Sequence, residues 1–271
     1  MSVAPRGGDA QTKTWRVVLV GDSNARQYIP ALRELVPELG AELHAAVRLR
    51  CPFTDLRPYP RGELDAECVR WVEETMAALE HNPPDVLLVT SSYDNYLSVN
   101  GWRFDAPDGS ARYLERGAQV EAMRCSTQRL TARLLDAGVK HIAFIKPTPK
   151  FRTREAFERG EGDPSIRFAA GCSLVKLWFF RGSCDATRPL VEGVESAQWA
   201  DVRFGRVVYE GVLDGERVHE VVVDEELYPG GACRSSQGGV WLYRDAGHMW
   251  PAGARRTKPA FRRFLSTLMA R

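Results

Sequence analysis

The sequence predicts an α/β domain in which a mainly parallel central sheet lies between two layers of helix. Two observations point there. Short apolar runs at residues 15–20 and 85–90 lack polar alternation, as strands buried on both faces require. Between them lie stretches with apolar residues at helical spacing, and strands alternating with helices form parallel sheets covered on both sides.

The elements follow in order. The run at 15–20 is rich in β-branched residues and stops at Gly21. Tyr28, Ile29, Leu32, Leu35, Val36 and Leu39 then line one helix face, and Gly40 stands where a C-cap belongs. Residues 42–49 read as a second strand. Leu64, Cys68, Val72, Met76 and Leu79 mark a second amphipathic helix, and Pro83-Pro84 introduce the central strand at 85–90. Val120, Met123, Thr127, Leu130 and Leu134 give a third helix closed by Gly138, followed by a strand at 139–145 that Lys146-Pro147 ends.

The second half is less regular. Residues 151–171 are polar, rich in Arg and Glu, and read as a surface excursion. The runs 207–212 and 218–223, joined through Asp214-Gly215, form the pattern of an inserted β-hairpin. Phe261, Phe264, Leu265 and Leu268 place a closing helix on the core. With no internal repeat or low-complexity linker, one domain is expected over 15–271, with residues 1–14 as a disordered or linker N-terminus.

Composition narrows the function classes. Apolar residues make up 44% of the 271, and 37 Lys plus Arg balance 35 Asp plus Glu to a net charge of +2. That is ordinary globular usage, without the basic footprint of a nucleic-acid partner. No run of 18 apolar residues exists, and residues 1–13 lack the apolar region of a signal peptide.

Six cysteines pull the other way. Cys51 and Cys68 stand 17 positions apart and Cys172 and Cys184 stand 12 apart, and either pair, if bridged, closes a loop. Three bridges would leave Cys125 with Cys233. Bridges imply an oxidising compartment reached through an export or membrane segment outside this chain; six free thiols imply the cytoplasm. No CxxC pair occurs, and no metal or cofactor is expected.

Two segments carry chemistry. Gly21-Asp22-Ser23-Asn24 follows the first strand, at the carboxyl edge where open parallel sheets bind ligands. A serine there projects from a tight turn with its backbone N–H at a helix start, where developing negative charge is stabilised. The plainer reading is an N-cap. Near the C-terminus, Asp245 precedes His248 by three residues. That spacing lets the carboxylate bond imidazole Nδ1–H and leaves Nε2 free to take a proton from a serine.

Together these two segments resemble the SGNH, or GDSL-like, hydrolase family, over most of the chain from Trp15 onward. The resemblance is greatest to the SGNH domains attached to bacterial membrane-bound acyltransferases, with Cys51-Pro52 after the second strand and Tyr243-Arg244-Asp245 leading to His248. It implies a flavodoxin-like three-layer fold, Ser23 as nucleophile, His248 as general base and Asp245 as its orienting acid. It also implies an acyl donor, a carbohydrate acceptor and a membrane acyltransferase domain as partners.

Two departures bear on the oxyanion hole. After the third strand the chain reads Ser91-Ser92-Tyr93-Asp94-Asn95, which sets Asp94 where the family has an asparagine donor. Asn95, one step on, is the substitute donor, beside the Ser23 N–H and a backbone N–H near Cys51 in place of the family's glycine block. Asp22, Asn24, Tyr93, Asp94 and Tyr96 are candidate substrate contacts, and Tyr93, Tyr96 and Trp102 offer stacking surface, with loop packing as the plainer alternative. The competing function is a carbohydrate- or partner-binding module without catalysis.

Overall fold

A computed structural model describes residues 14–97, 102–148, 187–189, 205–229, 232–234, 236–237, 240–245 and 247–270. The first half runs β1 (Trp15–Gly21), α1 (Ser23–Arg26), α2 (Ile29–Glu38), β2 (Ala41–Val47) and β3 (Arg57–Tyr59). It continues α3 (Ala66–His81), β4 (Val86–Thr90), α4 (Tyr93–Tyr96), β5 (Arg103–Asp105), β6 (Arg112–Tyr113), α5 (Arg116–Asp136) and β7 (His141–Ile145). After β8 (Thr187–Pro189) come β9 (Val218–Val221), α6 (Asp224–Leu227), β10 (Ala232–Arg234), β11 (Ser236–Gln237) and β12 (Val240–Trp241). Two helices close the chain, α7 (Pro251–Arg256) and α8 (Lys258–Met269).

Five strands form a parallel sheet in the order β2-β1-β4-β7-β9. The pleat of β1 explains why both faces are covered. Val17 and Leu19 pack into one core with Leu32 and Leu35 of α2 and Phe261 and Leu265 of α8. Val18 and Val20 point the other way, into a core with Val72 and Met76 of α3 and Met123 and Leu130 of α5. Each such side chain, fully buried, contributes roughly 1.5–3 kcal/mol. This is the mainly parallel α/β plan that the strand and helix pattern predicts.

The inserted hairpin is a correction. Residues 210–212 form a 3-10 turn, and β9 pairs in parallel with β7 as the fifth strand of the sheet. Packing overrides the β-branched pattern at 207–212. Tyr209 stacks on Phe144 with ring centroids 4.7 Å apart, and its hydroxyl donates to Glu220 at 2.8 Å. Asp214 Oδ1 accepts the N–H groups of Glu216, Arg217 and Val218, so Asp214-Gly215 turns the chain into β9 instead of back onto a partner strand.

Cys51 and Cys68 form a disulfide that ties the loop after β2 to the first turn of α3. A loop of that size is worth on the order of 3 kcal/mol. The Cys125–Cys233 pairing is a second correction. Cys125 is a free thiol on α5, where a surface helix turn sets it against its own neighbour: it donates to the Glu121 carboxylate at 3.4 Å. Cys172, Cys184, the excursion at 151–171 and residues 1–13 lie outside the described residues.

Candidate active site

The site is built where β1 ends. Gly21 sits at φ +141°, and a Cβ there would lie 1.7 Å from the Thr90 carbonyl oxygen of β4. Only glycine permits that approach, which draws the turn after β1 against the turn after β4. Asp22, not Ser23, caps α1: its Oδ1 accepts the Asn24 N–H at 2.7 Å. Ser23 is thereby released from the cap role and stays half-buried, open to one side.

The other Asp22 oxygen joins the two turns. Oδ2 accepts the Ser92 N–H at 2.8 Å and the Tyr96 hydroxyl at 2.6 Å. Asp22 is fully buried and braces the site from within. Tyr93 and Tyr96 are buried as well, and burial followed by the Asp22 charge pushes both phenols well above their ordinary range. Tyr96 packs edge-on against Trp102 at 4.7 Å. Trp102 itself is half-buried. Asn24 is buried beside them.

The second half of the site is a loop near the C-terminus. Tyr243 and Met249 bridge antiparallel, and the Arg244 N–H donates to the His248 carbonyl at 2.9 Å. Within it, Asp245 Oδ1 accepts the N–H groups of Gly247 and His248 at 3.0 and 2.9 Å. The same oxygen lies 2.8 Å from His248 Nδ1, with Oδ2 at 3.0 Å. Burial alone would raise the Asp245 pKa, but the bonds from His248 and the Gly247 N–H outweigh it and lower it from 3.8 to about 2. A carboxylate facing Nδ1 requires the proton on that nitrogen, which leaves the Nε2 lone pair free. His248 Nε2 lies 2.8 Å from Ser23 Oγ.

Helix α7 supports this loop from behind. The Trp250 N–H donates to the Leu242 carbonyl at 2.8 Å, and Gly253 packs so closely that an added Cβ would lie 2.2 Å from that oxygen. Arg255 and Lys258 then pair with Glu34 of α2, the helix that follows Ser23. His141 and His219 face each other at 3.2 Å near the amino ends of β7 and β9, the opposite edge of the sheet.

The candidate oxyanion donors stand in the segments that follow β2 and β4, the strands flanking β1. Asn95 is half-buried on α4, the turn that Asp22 tethers. Asp94 is buried, and its carboxylate accepts the Ser92 hydroxyl at 3.3 Å. The loop holding Cys51 is pinned at both ends, by the Arg48 N–H to the Gly21 carbonyl at 3.1 Å and by the Phe53 N–H to Ser91 Oγ at 3.3 Å. All of these segments meet the Ser23 turn at the carboxyl edge of the sheet. Gln27, whose Oε1 accepts the Met249 N–H at 2.9 Å, is a site neighbour that the sequence reading missed. The one available signal was an amide side chain four residues, or one helical turn, past Ser23.

A parallel α/β sheet with a Ser–His–Asp constellation at its carboxyl edge defines a geometry shared by hydrolases and acyltransferases that work through serine. The particular family follows from comparison. The model of the SGNH domain fused to AT3 domains matches residues 3–263, and the chain belongs to that family. Among solved structures, the periplasmic domain of a Salmonella ser. Paratyphi A lipopolysaccharide acetyltransferase superposes with a TM-score of 0.55 at 12% identity, covering 94% of this chain and 84% of that one. At that identity the likeness shows a shared fold. The salicylyl-acyltransferase SsfX3, from a tetracycline biosynthetic pathway, aligns with a TM-score of 0.43 at 10% identity, over 95% of this chain and 56% of that one. No curated protein matches the chain.

Proposed function

We propose that this domain is a serine esterase or O-acyltransferase that moves a small acyl group, acetyl, to or from a carbohydrate hydroxyl. The observation that carries the reading is the 2.8 Å contact from Ser23 Oγ to His248 Nε2, with Asp245 behind the ring. Ser23 Oγ attacks the acyl carbonyl while its proton passes to Nε2. Collapse of the tetrahedral intermediate breaks the bond to the donor oxygen, which leaves with the proton from His248. The acceptor hydroxyl then gives its proton to Nε2 and attacks the acyl-serine, and Ser23 Oγ takes that proton back as it departs. Asp245 remains a carboxylate throughout and holds the imidazolium that forms twice per cycle.

The carbohydrate acceptor is taken over from the lipopolysaccharide acetylation that names the structural neighbour. The family description supports a membrane acyltransferase domain as partner, and the periplasmic neighbour supports an extracytoplasmic setting, which the Cys51–Cys68 bridge fits. Among the described residues, no helix is long and apolar enough to cross a membrane. A serine-reactive phosphonate is expected to label the protein once, and peptide mapping is expected to find the label on Ser23. Label on Ser91, Ser92 or Ser235 removes the assignment.

Asp94 favours a second reading, a binding module without catalysis, because a carboxylate repels an oxyanion. The two readings part on Asn95. As an oxyanion donor, Asn95→Ala lowers turnover by roughly 10²–10³-fold, the range for losing one such donor. Asp94→Asn is then neutral or mildly activating, since a charge near the developing one is gone. Paired measurements of turnover and melting temperature check this: if both residues only brace the α4 turn, both variants lower the melting temperature and leave the rate alone.

A further inference from the structure

Gln27 closes α1, one helical turn beyond Ser23, and its backbone N–H returns to the Ser23 carbonyl at 3.3 Å. Its side chain is buried and reaches across the site. Oε1 accepts the backbone N–H of Met249, the residue directly after His248, at 2.9 Å. Two links therefore run side by side from the Ser23 turn to the His248 loop. The first is the Oγ–Nε2 pair, which breaks and re-forms as the proton moves. The second, Gln27 to Met249, joins groups that exchange no proton in the proposed steps.

The Asp245 bonds orient the imidazole within its own loop, since acceptor and donors all belong to residues 245–248. They do not fix how far that loop stands from Ser23. The Gln27 bond does, joining the end of the helical turn that starts at Ser23 to the residue directly after His248. We propose that Gln27 is a positioning residue for acyl transfer, setting the reach of His248 Nε2 to Ser23 Oγ by holding the Met249 backbone. The inference rests on the proposed roles of Ser23 and His248. Its consequence is kinetic, because a misplacement of about 1 Å in a reacting group costs on the order of 10²-fold in rate.

The test is steady-state hydrolysis of p-nitrophenyl acetate beside phosphonate labelling. Gln27→Leu, which keeps bulk and loses the acceptor, is expected to lower kcat by about 10- to 100-fold with KM within about twofold. Labelling at Ser23 slows in parallel yet reaches the same end point of one per chain, so the loss is in rate and not in folded protein. Gln27→Glu keeps an acceptor oxygen at the same reach and restores kcat to within about fivefold. Gln27→Asn is one methylene too short, behaves like the leucine variant, and carries the test should that variant fail to fold. Unchanged kcat in Leu and Asn variants, a loss confined to KM, or a Glu variant as slow as the Leu variant overturns the inference. Wild-type turnover in Ser23→Ala would instead take down the proposed function, and this inference with it.

Discussion

Ser23→Ala is expected to bring hydrolysis of p-nitrophenyl acetate down to background, a loss on the order of 10⁵- to 10⁶-fold for a nucleophile acting with its base as one unit. The oxygen removed has one contact that matters, the 2.8 Å contact with His248 Nε2. The cap of α1 is untouched, because Asp22 and not Ser23 provides it. The melting temperature should accordingly stay within about 2 °C of the wild type, no more than the shift for roughly 1 kcal/mol in a chain of this size. A variant that loses activity and also melts early would point to a structural serine; one that keeps activity would remove Ser23 from the chemistry.

Asp245→Asn is the second large effect, and its cause is a tautomer. The asparagine Oδ1 still accepts the N–H groups of Gly247 and His248, so the loop keeps its shape. The other arm now presents an N–H₂ to Nδ1 and favours the ring form protonated at Nε2, which has no lone pair for the serine proton. Turnover is expected to fall by about 10⁴-fold, with the fold retained by circular dichroism. The Asp245 pKa is depressed from 3.8 to about 2, so the stability it adds is present above pH 3.8 and is lost as the pH falls through about 2. Between pH 5 and 8 the carboxylate is fully ionised, and no inflection in the rate profile there belongs to it. Near-normal turnover in the variant would show that another group orients His248.

What could be read from the sequence followed the physics of burial. Strands β1, β4 and β7 are apolar on both faces because helices cover both, and that pattern needs no knowledge of neighbours. The spacing of Asp245 and His248 was equally legible, since a single turn brings carboxylate and imidazole together. Partnership across the fold was not. Residues 207–212 read as a strand because Val207, Val208 and Val212 are β-branched, yet Tyr209 is held by Phe144, far away in sequence, and by Glu220 on the next strand. Asp22 looked like a ligand contact because it stands beside Ser23; Ser92 and Tyr96, seventy residues on, take up its second oxygen. Gln27 was passed over for the same reason, its partner lying 222 positions away.

The contact between Ser23 and His248 spans 225 positions. Closing a loop of that length is entropically costly, and contacts so remote form only after the intervening strands and helices have a sheet to pack on. During synthesis Ser23 is made more than two hundred residues before His248. A nascent chain therefore carries this serine without its histidine partner while the whole sheet between them is being made. On the proposed roles, reactivity arrives only once the His248 loop has been made and packed, so the domain is chemically silent until then.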